Sequence, residues 1–175
     1  MVYQRTPEQK RHDLANARAY EDYVAIQVGV PVHTRFDARD DLDIWHPGWM
    51  LEIKEKNQPL TERWHLLDGV EERNLFVLDE LTVRKALRWY PEVFLLLRDN
   101  ASDEDNPRLF LAPIWEVVSV KRERVDRGGK GKWILDLADF TRLADEAHVA
   151  EFAHHALTEQ KWKQSHCLGG SVGQV

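Results

Sequence analysis

The chain contains a single cysteine, Cys167, in 175 residues. That excludes an intrachain disulfide, a multi-cysteine zinc site and an iron–sulfur cysteine set, and it suits a reducing cytoplasm. Long apolar runs are also missing. A stretch such as Val93-Phe-Leu-Leu-Leu97 stops far short of the ~20 residues that span a membrane. The first residues carry Arg, Glu and Lys without an apolar signal region, so secretion is not expected and a cytoplasmic location is. No internal repeat, low-complexity tract or internal linker interrupts the chain. Gly128-Gly-Lys-Gly-Lys132 lacks the Walker spacing and precedes a strand, not a helix, so no ATP-binding loop is present. Excess positive charge is lacking as well: the net charge of −6 argues against a protein that simply coats nucleic acid. Cations nevertheless cluster locally, along Lys121 to Lys132 and at Arg84, Lys85 and Arg88.

What is present is enough for one sizeable core. With 43% hydrophobic residues, positions 1–168 are expected to form one domain and 169–175 a flexible tail. Thr6-Pro7-Glu8 is a helix start, and Leu14, Ala17, Val24 and Val28 recur at helical spacing up to Gly29. Residues 30–36 read as a strand, followed by a hairpin over 41–46 and 49–56. Residues 75–89 read as a helix, 92–98 and 108–113 as strands. Residues 115–125 are expected to pair across Gly128-Gly129 with 133–137, and 140–162 read as a second helical region. The sum is an α/β fold, a mixed β-sheet flanked by helices.

The hairpin Leu42-Asp-Ile-Trp-His-Pro-Gly-Trp-Met-Leu-Glu-Ile-Lys54 carries the chemistry. Pro47-Gly48 suits a type II turn or a slightly longer loop. Either symmetric register makes His46 face Trp49 and puts Asp43 opposite Glu52. Opposed Cβ atoms lie roughly 4.5–5.5 Å apart, and like charges there repel unless neutralised. Glu52 and Lys54 share a face, and Ile53 points away. Two carboxylates beside an ammonium ask for a divalent cation such as Mg2+, which takes hard oxygen ligands. Such an ion polarises a phosphate and helps make hydroxide from a bound water, while a lysine positions that water or offsets developing negative charge.

The order of these elements and the pairing of Asp43 with Glu52-Ile53-Lys54 resemble the PD-(D/E)xK nuclease superfamily, over residues 15 to 98. That superfamily includes restriction endonucleases, Holliday junction resolvases and RecB-type nuclease domains. The resemblance implies a restriction-endonuclease-like fold and an enzyme, a Mg2+- or Mn2+-dependent deoxyribonuclease. It matches the catalytic and metal-binding residues to Asp43, Glu52 and Lys54, with the Ile53 carbonyl as a further ligand. Glu21, on the apolar face of the first helix, matches a glutamate that completes the metal site in many members. The proline that names the motif is absent before Asp43. Asp41 lies on the same face opposite Lys54 and competes with Asp43 as a ligand or helper. Lys56 is a candidate DNA contact on the face of Lys54, as are Arg84 and the hairpin-tip Lys130 and Lys132. By analogy with paired active sites a homodimer is expected, with DNA as substrate and endonuclease rather than exonuclease action. Small lone nucleases of this kind are common in phage and mobile elements. The alternative is a catalytically inactive nuclease fold that binds nucleic acid or serves assembly.

Other groups read as structural. His148, Glu151 and His155 share a helix face that is expected to be solvated rather than a zinc site. Ser165, His166 and Cys167 lie too near a mobile end to preorganise a nucleophile. Trp45 and Trp49 read as hairpin packing, with base stacking as the other use of such rings.

Overall fold

The computed structural model describes residues 5–31, 42–102, 106–127 and 129–168, with side chains through Lys161. Helix α1 (Pro7–Gln27) begins as expected. The Gln9 amide donates to Thr6 Oγ1 (3.1 Å) and the Thr6 amide to Gln9 Oε1 (2.8 Å), a reciprocal capping box. Gly29, at φ +74°, ends it. Only the second half of α1 packs, through Tyr20, Val24 and Ala25. Leu14, expected on the buried stripe, is exposed. Tyr20 fixes the packed half by donating its hydroxyl to the buried Glu146 (2.7 Å), beneath the Arg98 guanidinium 4.0 Å from its ring.

The hairpin has the expected register. Strands β1 (Ile44–His46) and β2 (Trp49–Lys56) pair His46 with Trp49 and Ile44 with Leu51, and Gly48 supplies the positive φ (+96°) of the turn. Residues 32–36 of the expected preceding strand, and Asp41, lie outside the described residues, as does the tail 169–175.

The segment 75–89 corrects the expectation of a single helix. Its first part is strand β3 (Leu75–Asp79), and α2 (Glu80–Leu87) follows. Leu75, Phe76 and Leu78 are buried, and a short apolar run of this kind fits a strand as well as a helix. Next come β4 (Val93–Asp99), β5 (Arg108–Pro113), a short α3 (Ile114–Val117), β6 (Arg122–Arg127) and β7 (Lys130–Asp136). The β6–β7 hairpin forms as expected, but the residues before Arg122 are helix and turn. Strand β8 (Thr141–Leu143) and a short 3-10 turn precede α4 (Val149–Leu168), so the last helix starts later than its pattern implied.

Two sheets result. The larger has the order β1-β2-β4-β5-β8, mixed because β2 and β4 are parallel and the other pairs antiparallel. The smaller, antiparallel sheet has the order β3-β7-β6. One face of the larger sheet packs Trp49, Leu51, Ile53, Phe94 and Leu96 against α1 and α4. The other packs Met50, Leu95 and Leu97 against Val83 and Ala86 of α2 and Phe76, Leu78 and Leu135 of the smaller sheet. That second core spans both sheets and joins them into one domain. Strand alternation sends Glu52, Lys54 and Lys56 to this same side. No helix of the described residues is long and apolar enough to cross a membrane.

Candidate active site

Beyond the end of β1, Asp43 continues the hairpin register toward Glu52. Its Oδ2 accepts the Ile53 amide at 2.6 Å, which fixes the carboxylate against β2. Lys54 occupies the centre of the group. Its Nζ lies 2.7 Å from Glu52 Oε1, 2.8 Å from the Ile53 carbonyl oxygen and 3.8 Å from Asp43 Oδ2. Glu52 is the buried member, 1% exposed. Its second oxygen, Oε2, lies 3.3 Å from Lys85 Nζ, yet no hydrogen bond reaches that oxygen. The contact is therefore an ion pair without bonding geometry.

Electrostatics follow from this packing. Burial raises the Glu52 carboxyl above the ordinary carboxylate range, Asp43 adds to the rise, and Lys54 and Lys85 oppose it. Burial alone would lower the Lys54 ammonium, but the charges of Glu52 and Asp43 outweigh it and leave Lys54 raised.

Glu21 comes from α1 on the other side of β2. It contributes to the field that holds Lys54 protonated, and it lines a polar cleft of about 420 Å³ with Ile53, Lys54, Glu55, Asn57 and Gln58. Among the described residues, no three His, Cys, Asp or Glu side chains stand close enough to hold a metal ion together. Glu21 is therefore a neighbour of the group and does not join Asp43 and Glu52 as a third ligand in this arrangement. The donors that do converge are two carboxylates and one backbone carbonyl, all hard oxygens, around one ammonium. This set fits Mg2+ or Mn2+, which are held by few protein oxygens and keep several waters. The Lys54 ammonium stands where such a cation would be expected.

The other expected contacts fare differently. Lys56 is corrected: it is buried, and its ammonium donates to the Glu72 and Arg73 carbonyls (both 3.3 Å) and lies 3.9 Å from Asp99. It ties β2 to the following turn and does not present its charge to solvent. Arg84, Lys130 and Lys132 do come to one neighbourhood, between α2 and the β6–β7 hairpin. Arg84 pairs with Glu80 (2.7 Å), Lys132 with Asp79, and Lys130 lines the same small cleft with Arg124 and Asp126. The cations there are interleaved with carboxylates. A Cβ at Gly131 would meet the Glu80 carboxylate, which would have to shift its side chain to admit one.

Lys85 is the residue that sequence reasoning missed. The sequence places it in one cationic cluster with Arg84 and Arg88, but it points inward at Glu52. Its helical position next to the buried Ala86 gave no sign of a partner on β2.

No protein-family model and no curated protein matches this sequence. Among solved structures, a nuclease from a fusselovirus is similar over 90% of this chain and 99% of that one, with a TM-score of 0.46 and 10% identity. A likeness of that degree assigns no activity to this chain.

Proposed function

We propose that this protein is a Mg2+- or Mn2+-dependent DNA nuclease of the restriction-endonuclease and resolvase type, cutting within a strand and working as a homodimer. The observation that carries this reading is the convergence of Glu52, Asp43 and the Ile53 carbonyl on one cation position. Asp43, Glu52 and the Ile53 carbonyl would hold the ion. When bound, such an ion polarises the scissile phosphate and lowers the pKa of a coordinated water. Lys54, whose ammonium stands among these oxygens in this structure, offers three donors suited to orienting the attacking water or offsetting charge on the phosphate. Lys85 acts through Glu52, opposing the rise that burial imposes on its carboxyl. Glu21 and Asp41 are supporting candidates, the first as a wall of the adjoining cleft.

A second reading has its own observation. Lys54 and Lys85 already offset the charge of Glu52, as they would in an inactive nuclease fold that binds nucleic acid or serves assembly. Incubating the protein with supercoiled, linear, branched and single-stranded DNA, in Mg2+, Mn2+ or EDTA, separates the two. The nuclease reading expects metal-dependent cutting that falls at least about a hundredfold in Glu52→Gln and Lys54→Ala. A folded protein that cuts none of these substrates in either metal leaves the second reading standing.

A further inference from the structure

A group of exposed aromatic rings lies on the same side of the larger sheet as Glu52. Trp45 is 48% exposed and Trp89 43%. The Trp45 and Trp89 ring centroids are 6.1 Å apart with planes at 46°. Trp45 pairs with Met50 across the hairpin, and Met50 and Glu52 share a face of β2. Trp45 therefore stands about 7 Å along the chain from Asp43, close to one nucleotide step. Trp89 follows α2, the helix that brings Lys85 to Glu52. The chain buries Trp49 fully in the neighbouring core, so leaving two adjacent tryptophans half exposed is not the default for this hairpin. Contiguous exposed apolar surface of this kind marks a binding face.

The charge around these rings selects the partner. Along α2 and its end, Arg84 is paired with Glu80 and Lys85 with Glu52, so the cation that stands beside the rings is Arg88. Arg88 is exposed and takes part in no side-chain hydrogen bond or ion pair with another described residue. One exposed carboxylate, Glu92, borders the group. Aromatic rings beside cations suit a nucleic acid, and rings stack only on bases whose faces are uncovered. In a continuous duplex those faces are occupied by neighbouring pairs.

We propose that Trp45 and Trp89 form a stacking platform for unpaired bases, with Arg88 on the adjoining phosphate. The nucleic acid that reaches Glu52 is then single-stranded, frayed or branched. This rests on the nuclease reading in taking Glu52 as the cutting centre, but binding at the platform is measurable without cutting. The test titrates labelled oligothymidylate and a matched duplex into full-length protein in EDTA, read by anisotropy and tryptophan quenching. Trp89→Ala and Trp45→Ala should each weaken single-strand binding about tenfold and leave duplex binding unchanged, whereas Trp89→Phe should retain most of it. Circular dichroism confirms that each variant is folded.

Tryptophan-dependent single-strand binding without metal-dependent cutting would support the platform and defeat only the nuclease reading. Unchanged single-strand affinity in both alanine variants overturns the platform. So does an equal loss of duplex binding, or failure of the parent to bind single strands at all. Conversion of a dimer to a monomer by Trp89→Ala with DNA affinity intact also overturns it, and makes the face an interface between copies.

Discussion

Two carboxylates are buried on neighbouring parallel strands, Glu52 on β2 and Asp99 on β4, at 1% and 0% exposure. Each faces two cations, yet burial has opposite outcomes for them. Asp99 is closed off. It accepts Ser102 Oγ–H (2.6 Å), the Ala101 amide (3.1 Å) and Arg108 Nε–H (3.1 Å), with Lys56 3.9 Å away. Burial pushes its carboxyl up, but these bonds and charges outweigh it and hold the group below the ordinary range. Glu52 keeps one oxygen without a hydrogen bond, and burial wins. A satisfied network of this kind specifies structure, whereas a buried carboxylate left under-satisfied is a recurrent mark of a working site.

The sharpest way to break this contrast is to remove the closed carboxylate. Asp99→Asn leaves Arg108 and Lys56 facing a neutral group and should cost about 3 kcal/mol in urea unfolding. The acid limb follows from the same residue. Its carboxyl is depressed when folded, so its stabilisation is present above the ordinary 3.8 and is lost as pH falls through the lower folded value. Stability curves of the parent should therefore fall below about pH 3.8 more steeply than those of Asp99→Asn. A smaller effect is expected at Lys85. Lys85→Met removes a charge that lowers the Glu52 carboxyl, so the acid limb of any metal-dependent cutting should move to higher pH. The smallest is Glu52→Gln, which should change stability by less than about 1 kcal/mol, because burial already disfavours the charged form. If it costs as much as Asp99→Asn, the two carboxylates are alike and the contrast is lost.

The hairpin was legible because its register depends only on local residues. Pro47-Gly48 fixes the turn, and counting outward brings Asp43 toward Glu52. The capping box at Thr6 and the strands 93–99 and 108–113 were readable for the same reason. What failed depended on partners distant in sequence. Leu75-Phe-Val-Leu78 fits either period, and pairing with β7 decides for a strand. The acidic pair Asp79-Glu80 was an available helix-start signal inside that segment. Lys56 looked like an exposed neighbour of Lys54 until parallel pairing set it beside Asp99. Lys85 could be assigned only once α2 was known to cover the Glu52 face.

The parallel pairing of β2 with β4 also orders events in time. A hairpin closes in roughly 1–10 μs, so Asp43 and Glu52 can meet before the rest of the chain has folded. Lys85 and the strand that buries Glu52 arrive only after β3 and α2 have crossed over and returned the chain alongside β2. Until then Glu52 is a hydrated carboxylate with ordinary acidity. Refolding in mildly acidic buffer should therefore take up a proton in a late phase, and an indicator dye in stopped flow would time the completion of the site.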